Sequence, residues 1–205
     1  MLIKTLPLGQ METNCYIVTD EKTLACAVVD PGDESNVVLD YIEDNKLKLE
    51  HIFLTHGHFD HTGAVIAIAE ETGADVWINS ADLDESGRDV HYRFYPQGMT
   101  VKNYKGGDNI VCGDLNFEVI STPGHTKGSV TLRCGNALFT GDTLFRDSCG
   151  RTDLPGGDMG EMLASLRKLS AIEGDLEVYP GHMDSSNLDR ERKFNYYMKY
   201  ANGQK

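Results

Sequence analysis

The sequence predicts a mixed α/β fold in which β-sheets pack together and helices cover them. Three observations carry that expectation. Strand-like runs occur in both halves of the chain, and amphipathic helical runs lie between them. Four of the strand-like runs stop at a small residue and then present a histidine or an aspartate. The chain has 205 residues, 40% of them hydrophobic and 25% charged, which is globular rather than disordered or fibrous composition. One domain spanning residues 1–205 is expected.

The elements follow in order. Two β-rich runs, 14–18 and 24–29, flank the polar Asp20-Glu21-Lys22 and read as a hairpin. Asp30-Pro31-Gly32 breaks the second strand. Asp33 or Ser35 is then placed to cap a helix whose apolar positions Val37, Val38, Tyr41 and Ile42 recur at helical spacing. Residues 51–54 form a short buried strand, 64–69 a helix that ends near Gly73, and 75–78 the next strand. Residues 80–108 are irregular, and a short helix over 81–85 followed by a loop overhanging a site is expected there. Runs 110–112 and 115–120 pair around Gly113-Asp114, and 129–132 and 137–140 pair around Gly135-Asn136. A helix over 159–169, a strand at 177–179 and one helix over 188–200 complete the chain.

The formal net charge is −13, with no basic patch, so a nucleic-acid partner is not expected. No run approaches the roughly 20 apolar residues of a membrane span, and residues 1–8 lack the basic-then-apolar pattern of an export signal. A cytoplasmic protein, monomeric or a small homo-oligomer, is the resulting expectation. Cys15, Cys26, Cys112, Cys134 and Cys149 contain no CxxC pair, which argues for reduced thiols rather than a disulfide framework or a cysteine zinc knuckle.

The chemistry is concentrated in Thr55-His56-Gly57-His58-Phe59-Asp60-His61. His125 follows Pro123-Gly124, Asp142 follows Thr140-Gly141, and His182 follows Pro180-Gly181. Strand ends gathered at one sheet edge would bring these groups together on a rigid scaffold. Imidazole nitrogen and carboxylate oxygen without thiolate suit a catalytic metal, zinc and also manganese or iron, rather than a structural one. His51 and His91 stand outside this pattern and read as ordinary histidines.

The ordered set His56-x-His58-x-Asp60-His61, His125, Asp142 and His182 resembles the ligand set of the metallo-β-lactamase superfamily over almost the whole chain. The resemblance implies a four-layer αββα sandwich with two divalent metal ions, zinc first, at one edge between the sheets. One ion would take His56, His58 and His125, the other Asp60, His61 and His182, and Asp142 would bridge them. Residues 142–145 with Cys149-Gly150-Arg151-Thr152-Asp153-Leu154-Pro155, and then Tyr179-Pro180-Gly181-His182, are similar to the glyoxalase II-like branch, particularly its short bacterial members. That branch hydrolyses S-acyl glutathione thioesters. The implied partner is a small-molecule thioester, with Asp60 as the catalytic residue orienting the attacking water. Larger members carry a Lys and a Tyr in the loop after the bridging Asp, where this chain has Arg151 and Asp153, so a small thiol other than glutathione stays open. Arg151 is either a substrate anchor or the ion-pair partner of Asp153. An iron-dependent persulfide dioxygenase shares the Gly-Arg-Thr-Asp loop and is the alternative, as is a hydrolase of another ester or amide.

Overall fold

The computed structural model of the protein describes residues 1–204. The first sheet contains β1 (Leu2–Leu8), β2 (Thr13–Thr19), β3 (Ala25–Val29), β4 (Lys48–Phe53), β5 (Asp75–Ile78) and β6 (Lys102–Asn103), in that spatial order. The first three strands form an antiparallel meander, and β3 to β6 run parallel. Helix α1 (Ser35–Asp44) connects β3 to β4, and α2 (Phe59–Thr62) and α3 (Val65–Thr72) lie between β4 and β5. The second half supplies β7 (Asn109–Cys112), β8 (Leu115–Ser121), β9 (Val130–Cys134) and β10 (Ala137–Gly141), then a small hairpin of β11 (Leu144–Phe145) and β12 (Ser148–Cys149). Helix α4 (Met159–Ser170) leads to β13 (Glu177–Pro180), β14 (Ser186–Asn187), α5 (Leu188–Phe194) and α6 (Tyr196–Ala201). The second sheet has the order β14-β13-β10-β9-β8-β7, with β10 and β13 parallel.

Alternation along the strands divides the core into three slabs. On β2, Cys15 and Ile17 join Val38, Ile42, Val65 and Ile68 in a slab between the first sheet and its helices. Tyr16 and Val18 point the other way, into a slab between the sheets with Phe53, Phe117, Leu132 and Phe139. On β10, Phe139 faces that central slab, while Leu138 faces a third slab with Met162, Leu166, Leu169 and Met198 beneath α4 and α6. A strand buried on both faces cannot alternate apolar with polar, which is why β2 and β3 read as continuous apolar runs. Three slabs separate four layers, the expected αββα arrangement.

Some elements differ from expectation, each for a local reason. Neither Asp33 nor Ser35 caps α1. The chain enters the helix through Glu34 at φ 48°, and the Asp33 carboxylate folds back onto the Glu34 N–H at 2.7 Å. The helix expected over 81–85 shrinks to a 3-10 turn, Ser80–Asp82. The Asp84 carboxylate takes the N–H groups of Ser86 and Asp89 instead, a side-chain competition that ends helices. The C-terminal helix breaks at Asn195. Its side-chain amide donates to Phe145 O and Ser148 O, while its Oδ1 accepts from Met198 N and starts α6. Among the described residues no helix is long and apolar enough to cross a membrane.

Candidate metal centre

The candidate residues leave the C-terminal ends of β4, β8, β10 and β13 and meet at one edge between the sheets. His56 follows β4 by way of Leu54 and Thr55. The single turn of α2, with His58 at its start, then turns Asp60 and His61 inward. Asp142 and His182 stand side by side because β10 and β13 are parallel neighbours, joined at their ends by Gly181 N–H to Gly141 O at 2.9 Å. Two close approaches require glycine. A Cβ at Gly32 would lie 1.8 Å from Asp60 O, and one at Gly181 would lie 2.3 Å from Asp142 Oδ1 and 2.7 Å from His61 Cε1.

Two clusters of donors with no residue in common result, His56, His58 and His125 and then Asp60, His61 and His182, and a third group, Asp30, His56 and His61, overlaps both. Within each, one atom per residue lies within 4.8 Å of the others. Asp142 spans them: Oδ1 is 3.4 Å from His61 Nε2, and Oδ2 is 3.5 Å from His125 Nε2 and 3.7 Å from His182 Nε2. His125 Nε2 faces His58 Nδ1 at 2.9 Å. Among the described residues, the buried His56 Nε2, His58 Nε2 and Asp142 Oδ1 make no hydrogen bond. Buried polar atoms without partners are costly, and lone pairs aimed at a common point are what divalent cations require. The donors therefore fit two ions. All nitrogen and oxygen, they suit zinc, iron or manganese alike.

The clusters differ electrostatically. Burial, reinforced by the neighbouring histidines, holds His56 well below the usual imidazole range and His58 down at about 4, so both are neutral at pH 7. Burial also opposes charge on His61, but Asp142 and Asp30 outweigh it and push the ring up to about 9. His182 is raised too: burial opposes, and the hydrogen bond with Asp60 and the charge of Asp142 prevail. Asp60 is lowered in turn, since His182 and His61 overcome its burial.

Supporting groups fix the donors. Asp30 accepts from His61 Nδ1 at 3.0 Å, Thr55 N at 2.7 Å and Thr55 Oγ1 at 2.6 Å. His125 Nδ1 donates to Arg151 O at 2.7 Å, leaving Nε2 for the centre. Asp82 accepts from Gly57 N at 3.1 Å, Thr126 Oγ1 at 2.5 Å and Gly128 N at 2.8 Å, tying the His56–His58 turn to the His125 loop. Sequence reasoning missed Asp30 and Asp82. Asp30 carried a usable signal, an acid directly after a buried strand, whereas Asp82 carried none.

The centre forms the floor of a cavity of about 490 Å³. Met11, Phe59, Tyr92, Phe145, Leu154 and Met183 supply its apolar wall. Tyr92 stands edge-on to His58 with ring centres 5.8 Å apart, and Phe145 edge-on to His182 at 6.2 Å. The loop expected to overhang the site thus supplies Tyr92 and also His91, which lines the cavity rather than standing apart. Arg151 reaches the rim, but its Nε and Nη2 each bond an Asp153 oxygen at 2.7 Å. The ion-pair reading is the one observed. Cys149 is half-buried, and burial pushes its thiol up to about 11, which makes it a poor nucleophile.

Residues 8–182 match the family described as the Metallo-beta-lactamase superfamily. The chain belongs to this superfamily. Its relatives include a Haemophilus influenzae protein named hydroxyacylglutathione hydrolase GloC, 31% identical, with 97% of this chain and 98% of that protein covered. Among solved structures, TTHA1623 in a di-iron-bound form is 32% identical at TM-score 0.82, covering 95% of this chain and 99% of that one. ETHE1 from Myxococcus xanthus is 30% identical at TM-score 0.80, covering 96% and 84%. These likenesses agree with the αββα layers and make the chain a metallo-hydrolase-superfamily protein with a centre for divalent metals.

Proposed function

We propose that this superfamily member hydrolyses an S-acyl thioester of a small thiol, glutathione or a similar one, with two divalent metal ions. The observation that carries the proposal is the doubled donor set, two three-residue clusters sharing Asp142 on the floor of the cavity. Likeness to a hydroxyacylglutathione hydrolase supports it. His56, His58 and His125 would hold one ion, Asp60, His61 and His182 the other, with Asp142 between them. Zinc is the proposed metal, and iron or manganese suits the same donors. Bound there, the ions supply a water with its pKa lowered towards ~7 and polarise a carbonyl oxygen.

The chain's own residues orient and exclude. Asp60, kept ionised by His182 and His61, orients the attacking water through its carboxylate. Tyr92 and Phe145 flank the centre and keep bulk water away from the acyl group. The water oxygen joins the carbonyl carbon as the C–S bond breaks, giving a carboxylic acid and a thiol. A thiolate leaving group of pKa ~8.5 requires little help from an acid.

Metal-loaded protein incubated with S-lactoylglutathione and acyl-CoA thioesters tests the proposal. Thiol release that is lost in Asp60→Ala, while the variant stays folded, is the expected result. Full activity of that variant, or no release by the wild type, would overturn it. A second reading, an iron-dependent persulfide dioxygenase using His56, His125 and Asp142, is favoured by the likeness to ETHE1 from Myxococcus xanthus. Oxygen consumption with glutathione persulfide on iron-loaded protein would support that reading. Anaerobic thioester turnover with zinc or manganese counts against it.

A further inference from the structure

The rim of the cavity carries unusual charge bookkeeping. Arg151 is the one Lys or Arg among the residues lining it. Its guanidinium fork, the group best shaped to read a carboxylate, is filled on two nitrogens by Asp153. A carboxylate two residues away competes at an effective concentration that a free ligand does not reach. The main chain at Arg151 is also fixed, since its carbonyl takes His125 Nδ1 and a Cβ at the preceding Gly150 would lie 1.9 Å from Asp142 O. Beyond Met11 and Phe59, a second hollow of about 350 Å³ continues the groove, and the charged side chains lining it are acids, Asp33 and Asp60. Elsewhere the wall is apolar apart from His91 and the uncharged Tyr92, Gln10 and Thr13. A thiol portion bearing carboxylates would meet a neutralised arginine on one side and acids on the other, whereas an uncharged portion loses nothing.

We propose that the site selects thioesters whose thiol portion is uncharged, and that Asp153 enforces this by holding Arg151 out of substrate binding. The inference rests on the thioesterase reading and names the substrate class within it. The N-acetylcysteamine type, a short neutral amide ending in sulfur, is the chemistry that fits. Glutathione, with two carboxylates and one ammonium, fits less well.

The test compares S-hexanoyl-N-acetylcysteamine with S-hexanoylglutathione, which share an acyl group, on metal-loaded wild type and Asp153→Asn. Wild type is expected to show kcat/KM at least about tenfold higher for the uncharged thioester, the size of one unmade charged contact. Asp153→Asn frees Arg151 and should raise kcat/KM for the glutathione thioester about three- to tenfold, through KM, without changing the other. Both residues are exposed, so the variant retains its fold. The thioethers S-hexylglutathione and N-acetyl-S-hexylcysteamine cannot be hydrolysed, and their affinities by calorimetry should follow the same order. A wild type that favours the glutathione forms, or an Asp153→Asn variant that shifts both ligands equally or neither, overturns the inference. If neither thioester is turned over, the thioesterase reading falls, and the thioether affinities still decide the selectivity.

Discussion

Asp30 and His61 are bonded through Asp30 Oδ2 and His61 Nδ1 at 3.0 Å, with both side chains buried. A carboxylate only accepts, so one proton is held on Nδ1 and Nε2 is the nitrogen that turns a lone pair to the centre once its own proton leaves. The same carboxylate takes the Thr55 N–H, fixing the backbone just before His56. Asp30→Ala is therefore expected to weaken retention of the metal at the Asp60–His61–His182 cluster by about 10- to 100-fold. Competition with a chromophoric chelator measures it, and unchanged affinity would show that His61 is oriented by something else.

The electrostatic difference between the clusters predicts two binding steps with different pH dependence. Neutral His56 and His58 require no proton release at pH 7, whereas His61, up at about 9, must give up its proton to bind a metal. The second equivalent should bind more tightly as pH rises towards about 9, releasing protons, and the first should not. Calorimetry in two buffers of different ionisation enthalpy reads this. Equal proton release in both steps would contradict it.

Without metal, the same groups give stability a maximum. The folded pKa of His61 is raised, so its contribution is full below the unfolded value of ~6.5 and is lost as pH climbs through about 9. For His58 it is depressed, so that contribution is present above ~6.5 and is lost as pH falls to about 4. Chelator-treated protein should melt highest near pH ~6.5. A melting temperature that rises steadily from pH 6 to 9 would run against the sign for His61.

Asp82 joins two loops that are far apart in sequence. Asp82→Ala strands the Gly57 and Gly128 N–H groups, at about 1–3 kcal/mol each in a buried setting. Urea denaturation should show a loss of a few kcal/mol. A loss under about 0.5 kcal/mol would mean that water replaces the carboxylate.

Gly181→Ala tests the crowding at the junction of Asp142 and His61. The added methyl must displace a donor, so metal affinity should fall about tenfold or more while the protein still folds. Atomic absorption after dialysis, beside a melting curve, separates the two effects.

The sequence made much of this legible. Continuous apolar runs at β2 and β3 signalled strands buried on both faces, and Gly73 marked the end of α3. The candidate donors read as strand-end residues because four apolar runs stop at a small residue just before His56, His125, Asp142 and His182, and His58, Asp60 and His61 follow His56 at once. What stayed hidden depends on contacts made at long range. The break at Asn195 comes from its bonds to Phe145 and Ser148, with no proline or glycine to mark it. Asp82 looked like part of a surface helix because its three donors lie in segments 25 or more residues away. Tyr92 and His91 sat in a stretch without periodicity, where loop position alone decides what a side chain covers.

The parallel pairing of β10 with β13 separates what is fixed from what is free. Asp142 and His182 are clamped at adjacent strand ends, and Arg151 is pinned between them through its carbonyl on His125, while the side chain of Leu154 on the rim lies outside that clamp. Extra residues spliced at the exposed Pro155-Gly156 tip would lengthen the mouth without shifting either end of the clamp. Such a scaffold can be re-tailored for new acyl or thiol groups at the rim residues beyond Arg151, with the reactive machinery carried through unchanged.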